Sequence, residues 1–105
     1  MCGILGQINL RYNKPVNKEL FKKALNLQKH RGPDDLGIYS NDKITFGHRR
    51  LSILDLNSHA KQPMISKCGN YIIIFNGEIY NYKEIREELL KKNILLKQQE
   101  ILKYF

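Results

Sequence analysis

Five consecutive apolar residues, Tyr71-Ile72-Ile73-Ile74-Phe75, constrain this chain more than any other stretch. Three of them are β-branched, and the run has no polar alternation. That pattern predicts a strand buried on both faces. The run leads straight into Asn76-Gly77-Glu78. An Asn-Gly pair ordinarily marks a tight turn. The whole chain has 105 residues, enough for one small domain. Hydrophobic residues make up 42% and charged residues 27%, a globular balance rather than a disordered one. No apolar run approaches the ~20 residues of a membrane helix. The N-terminus lacks the charged, apolar and small-residue regions of a signal peptide. These features predict a cytoplasmic location and no membrane partner. Cys2 and Cys68 are the only cysteines, and in that compartment both are expected to be free.

The formal net charge is +8, which raises nucleic acid as a partner. The lysines are scattered, however, with small clusters at Lys22-Lys23 and Lys91-Lys92 inside helix-like segments. Few aromatics are interleaved with them, so no stacking platform is visible. A basic binding module therefore rests on charge alone. The histidines at 30, 48 and 59 lack metal-ligand spacing, and Cys68 has no Cys-x-x-Cys partner, so no metal site is expected.

Taken in order, residues 2–10 read as a strand with apolar alternation at Ile8 and Leu10. Asn13-Lys14-Pro15 breaks it. Asn17 is placed to cap a helix over residues 17–29, with Leu20, Phe21, Ala24, Leu25 and Gln28 on one face. Gly32-Pro33 stops that helix. His30-Arg31-Gly32-Pro33-Asp34-Asp35-Leu36-Gly37 reads as a loop. Residues 38–40 and 44–48 form two strands joined across Asn41-Asp42-Lys43. Residues 49–56 are a further strand or an extended loop with one buried side, and 57–70 are loop. Asn81 and Glu84 suit a capping box for a helix over 82–92, with Ile85, Leu89 and Leu90 as its buried stripe. Residues 94–96 are a short strand candidate, and 99–105 start a further helix.

The N-terminus carries the most distinctive chemistry. Removal of Met1 would leave Cys2 with both a thiol and a free α-amino group. Reference pKa values are ~8.5 for a thiol and ~7.7–8.0 for an α-amine, so the amine can serve as base for the thiol within one residue. A nucleophile activated by its own amine is an established route to covalent catalysis. On its own, though, a second-position cysteine is more often just a small buried hydrophobe.

Four blocks in order change that balance: Cys2-Gly3-Ile4, Arg31-Gly32-Pro33-Asp34-Asp35-x-Gly37, Gly47-His48-Arg49-Arg50-Leu51-Ser52-Ile53 and Phe75-Asn76-Gly77-Glu78-Ile79-Tyr80-Asn81. Together they closely resemble class II glutamine amidotransferase domains, which are N-terminal-nucleophile hydrolases, with the asparagine synthetase branch the nearest match. The resemblance implies an α+β fold, a partial four-layer αββα sandwich. It implies that Cys2 attacks the side-chain amide of glutamine. Asn76 and the Gly77 backbone N–H would form the oxyanion hole. Arg50 would clamp the substrate carboxylate, Leu51, Ser52, Ile53 and Leu54 would line the pocket, and Glu78 would accept from the substrate ammonium. Arg31, Asp34 and Asp35 are cast as organisers of the loop, and Arg49 as a surface charge.

Two departures from the family stand out. Its usual Ser-Asp-Thr-Glu is replaced by Lys97-Gln98-Gln99-Glu100, leaving Gln98 as the counterpart of an ammonium-binding aspartate. Loss of one charge-assisted hydrogen bond, worth about 1.5–3 kcal/mol, predicts weak glutamine binding. The chain is also shorter than the family's domain, so residues 1–105 are expected to be its N-terminal part, without a synthetase domain and with apolar surface exposed. The implied partners are glutamine and a synthetase chain or complementary fragment. No cofactor is expected in this chain; ATP and magnesium belong with the synthetase domain. Two other readings stay open: a catalytically inactive fragment of such a domain, and the basic nucleic-acid-binding module.

Overall fold

A computed structural model describes residues 1–10, 16–52 and 61–92. Three antiparallel strands form the main sheet: β1 (Gly3–Ile8), β2 (Asp35–Ser40) and β3 (Ile44–Arg50), in the order β1-β3-β2. The middle strand pairs Gly3↔Arg49 through Ile8↔Ile44 on one edge and Asp35↔Arg50 through Ser40↔Thr45 on the other. The β2–β3 hairpin turns where the sequence predicts. Asn41 Oδ1 accepts from the backbone N–H groups of Lys43 and Ile44, at 2.9 and 2.8 Å, which closes the turn with a side chain. Ser40 and Thr45 face each other across the ladder, their hydroxyls 2.8 Å apart. Both strands run longer than expected. Asp35, Leu36 and Gly37 leave the predicted loop to join β2, and Arg49 and Arg50 extend β3.

The helix α1 (Lys18–Asn26) lies between β1 and β2 in the chain. Asn17 caps it as expected, its Oδ1 accepting from Leu20 N–H at 3.0 Å. Phe21 and Leu25 are buried, and with Val16 they form the apolar core. They settle onto β3 at Gly47, where a Cβ would stand 2.6 Å from Leu25 Cδ2 and 2.9 Å from Phe21 Cε1. A glycine in the middle strand is what lets the helix approach so closely. Leu20 departs from the predicted face and is exposed, because Phe21 and Leu25 centre the contact one position away from it. Ile8 and Leu10 are likewise exposed at the end of the edge strand β1.

The second half of the chain corrects several expectations. The apolar run over residues 71–75 yields only β5 (Ile72–Ile73), paired with β4 (Met64–Ile65) in a segment expected to be loop. It is not buried on both faces. Ile73 remains 48% exposed, and Tyr71 is exposed as well. Burying both faces of a strand takes a packed layer on each side. Here two residues pair with two others; Tyr71 and Ile73 stay exposed, while Ile72 and Ile74 on the other side of the run are half-buried. The β4–β5 turn is held by Ser66, whose N–H donates to Tyr71 O while its hydroxyl accepts from Tyr71 N–H, at 2.9 and 3.0 Å. Gly69 takes φ +75° in that turn.

Helix α2 (Tyr82–Lys91) forms where expected, but without the capping box. Asn81 has φ −94° and ψ 30°, and its side chain makes no cap bond. A capping side chain needs an extended N-cap backbone, and at Asn81 the chain is already turning. Ile85 and Leu89 are half-buried, while Leu90 is exposed. None of the described helices is long and apolar enough to cross a membrane. The strand and helix expected over 94–96 and 99–105 lie outside the described residues. The molecule is thus a small α+β structure with antiparallel sheets, compatible with part of an N-terminal-nucleophile hydrolase fold.

Leu25 is fully buried where α1 meets β3, so truncating it should cost far more than truncating an exposed residue of the same helix. Leu25→Ala is expected to lower unfolding free energy by about 2–5 kcal/mol, against less than about 0.5 for the exposed Leu20→Ala. Urea titration of both variants checks this. Equal losses would show that α1 does not pack as described.

Candidate active site

The candidate site grows from the end of the main sheet. The register pairs Gly3 with Arg49, so one further step sets Cys2 beside Arg50, and Arg50 is paired with Asp35 on its other edge. Cys2 is half-buried there. Its sulfur accepts a 3.5 Å contact from the Leu51 backbone N–H, and its carbonyl accepts from Arg31 Nε at 3.3 Å. Both ends of the residue are therefore fixed, one by β3's exit and one by the loop after α1.

That loop is laced to the same exit. Asp34 N–H donates to Arg50 O at 3.0 Å, and Asp34 Oδ2 accepts from Ser52 N–H at 2.6 Å. Gly32 is buried flat against β3, and a Cβ on it would run into the Arg49 carbonyl and stand 2.6 Å from Arg50 N. So the Arg-Gly-Pro-Asp-Asp stretch supplies an arginine for Cys2, a glycine for close contact and a carboxylate for the strand exit. Asp35 adds an ion pair with Lys61, at 3.4 Å. Predicted site residues Cys2, Arg50, Leu51 and Ser52 are brought together.

Arg49 corrects the expectation of a surface charge. It is only 6% exposed, and its Nε has no hydrogen-bond partner among the described residues. Residues 47–50 are all buried. Here both faces of β3 are covered, by Phe21 and Leu25 on Gly47 and by the segment carrying Gln62 and Phe75 at His48 and its register partner Gly37, so the alternation that would send every second side chain to solvent fails. His48 is 2% exposed in the same row. Burial holds its pKa below the ordinary value, and the nearby Arg50 cation pushes the same way. A hydrogen bond to the Phe75 backbone and the Asp35 charge oppose the shift without cancelling it.

Asn76, Gly77 and Glu78 follow β5 and are exposed. No hydrogen bond joins them to Cys2 among the described residues. The Phe75 ring folds back over Gly77, where a Cβ would meet its Cζ at 2.7 Å. Phe75 N–H donates to Gln62 Oε1 at 2.5 Å. Gln62 carried no signal in the sequence, because the contact is non-local and its segment read as loop. Ile53, Leu54 and Gln98 lie outside the described residues. Among the described residues, no group of three or more His, Cys, Asp or Glu is arranged to hold a metal ion. The second thiol, Cys68, sits on the exposed β4–β5 turn. The Ser66 hydroxyl, then the Asn70 backbone, hold its pKa below the ordinary thiol range.

A family model described as a glutamine amidotransferase domain matches residues 1–100. Among curated proteins, the chain is 44% identical to asparagine synthetase [glutamine-hydrolyzing] 1 of Bacillus subtilis (strain 168), over 88% of this chain and 15% of the relative. It is 42% identical to the putative asparagine synthetase [glutamine-hydrolyzing] 2 of Methanocaldococcus jannaschii, over 84% of this chain and 20% of the relative. It is also 42% identical to asparagine synthetase B [glutamine-hydrolyzing] of Escherichia coli (strain K12), over 84% and 16%. The chain thus spans no more than 20% of the length of these three relatives.

Burial of His48 has a consequence for stability. Its folded pKa is lowered, so the unfolded chain, with a reference value of ~6.5, binds the proton more readily. The stability it contributes is fully present above ~6.5 and is lost as pH falls from there through the lowered folded value. The urea midpoint is expected to drop between pH 7.5 and pH 5, and His48→Gln should flatten part of that drop. An unchanged pH slope in the variant would contradict the assignment.

Proposed function

The chain belongs to the glutamine amidotransferase domain family, and we propose that it carries the glutamine-hydrolysing half-site of an asparagine synthetase-like enzyme. The observation that carries this reading is the placement of Cys2: sulfur at the Leu51 N–H, carbonyl on Arg31, and Arg50 alongside. Met1 is removed, freeing the amine. The amine takes the thiol proton, and sulfur attacks the amide carbon of glutamine. The Asn76 carboxamide and the Gly77 N–H stabilise the oxyanion, a contribution typically of ~10²–10³ in rate per donor. The tetrahedral adduct collapses, the protonated amine returns its proton to the leaving nitrogen, and ammonia departs. Water, activated by the same amine, then hydrolyses the thioester to release glutamate and regenerate the thiol.

Substrate is oriented by the groups around this centre. Arg50 offers its planar fork to the α-carboxylate. The backbone of Leu51, Ser52, Ile53 and Leu54 is assigned to the pocket wall, and Glu78 with Gln98 is assigned to the α-ammonium. The two antiparallel sheets and α1 are assigned to the N-terminal part of a four-layer αββα sandwich, residues 1–105. Glutamine chemistry at Cys2 needs no cofactor. ATP and magnesium are assigned to a synthetase partner, or a complementary fragment, that takes up the ammonia. The cytoplasm is the proposed location, where the thiol stays reduced.

The exposure of Tyr71, Ile73 and Tyr80 around the Asn76-Gly77 segment favours a second reading, a chain that keeps the site but does not turn over. One experiment separates the two. The intact mass of the purified protein is expected to lack Met1, and glutamine is expected to yield glutamate. Cys2→Ala should lower that release at least ~10³-fold, since nothing in the site replaces the nucleophile. Full activity with Met1 retained would contradict the N-terminal mechanism, and a folded wild type without activity would support the second reading.

A further inference from the structure

Asn76 and Gly77 are exposed, yet an oxyanion hole has to be held in place before the charge develops. The residue that can hold them is not in any of the four sequence blocks. Gln62 is half-buried, and its Oε1 accepts the N–H of Phe75, one residue before Asn76. The carboxamide's orientation is fixed by this contact, because an N–H can bond only to its oxygen. Gln62 is itself anchored. Its backbone carbonyl lies against Gly37 of β2, in space that a Cβ at Gly37 would occupy. The preceding Lys61 pairs with Asp35, two residues along β2. Gly37 is the register partner of His48, and the His48 ring hydrogen-bonds the Phe75 backbone from β3. Phe75 is therefore gripped on its N–H by Gln62 while His48 reaches it from the sheet that carries Cys2.

We propose that Gln62 is a positioning residue for amide hydrolysis at Cys2: its carboxamide oxygen pins Phe75 N–H to the main sheet and so sets where the Asn76 and Gly77 donors stand. This rests on the roles given above to Cys2, Asn76 and Gly77. Gln62 touches neither end of the amino-acid substrate in that scheme. Its loss should therefore act on the chemical step and spare ground-state binding. A displacement of about 1 Å in a catalytic constellation costs up to ~10²-fold in rate.

Two readouts test the proposal on the full chain. The first is hydrogen exchange at the Phe75 amide, resolved by NMR. Protection is expected in the wild type and in Gln62→Glu, which keeps an acceptor, and is expected to fall in Gln62→Leu while β1–β3 amides are unchanged. Equal Phe75 exchange in wild type and Gln62→Leu would overturn the clamp, whatever the catalytic result. The second is steady-state glutamate release, normalised to titratable Cys2. Gln62→Leu should lower kcat about ten- to hundredfold with KM within about twofold, and Gln62→Glu should restore most of it. A rise in KM at unchanged kcat, or a wild-type kcat in Gln62→Leu, would overturn the catalytic role. A wild type that protects Phe75 but releases no glutamate would leave the clamp standing and refute the hydrolase assignment together with the catalytic role.

Discussion

The double pairing of β3 is the constraint on which the rest depends. One strand is bonded along both edges, to β1 and to β2, and α1 is pressed onto it at Gly47. That arrangement sets Cys2 beside Arg50 without any contact between their side chains being needed. Coverage of the two faces of β3, by α1 and by the segment carrying Gln62 and Phe75, explains why residues 47–50 are buried in a row, charged or not. β3 ends at Arg50, and Leu51 is its exit from the sheet. The thiol sits at that exit.

The loop after α1 turns this placement into a site. Arg31, Gly32 and Asp34 act on three different parts of the same corner: the Cys2 carbonyl, the β3 backbone and the Ser52 N–H. None of them donates to or accepts from the Cys2 sulfur. Their work is to hold main chain, so that the groups offered to a ligand stand on fixed supports. The Asn76-Gly77 segment is supported differently. The residue before it, Phe75, is held from its N–H by Gln62 and reached by His48 of β3, and Asn76 and Gly77 themselves stay open to solvent.

Much of this was legible where a residue acts on its own neighbours. Asn17 capping α1 and the hairpin connection at 41–43 are decided within four residues; the cap was expected from the Asn17 side chain and the connection from its place between two strands. The same local logic failed at Asn81, because the backbone there had already left the extended region a cap requires. Where the outcome depends on distant chain, the sequence was silent or misleading. Arg49 looks solvated beside Arg50, but the chain packed over β3 at Gln28 and Gly32 buries it. The run over 71–75 looks like a covered strand, but coverage is a property of layers, not of the run. Gln62 lies 13 positions from the amide it holds, in a stretch whose composition says only loop. The order of the four blocks was enough to identify the family, since family membership is written in spacing as well as in contacts.

The central claim is that Cys2, and not the more exposed Cys68, is the thiol that meets glutamine. Cys68 is the stringent control, because its pKa is held below the ordinary thiol range on an open turn and general electrophiles should favour it. The direct measurement is peptide mapping by mass spectrometry after brief exposure to an electrophile with glutamine's shape, such as its chloroketone analogue. The account predicts an adduct on Cys2, prevented by free glutamine and by Arg50→Ala, with Cys68 labelled at the background rate. Labelling of Cys68 alone, or of Cys2 without protection by glutamine, would contradict it.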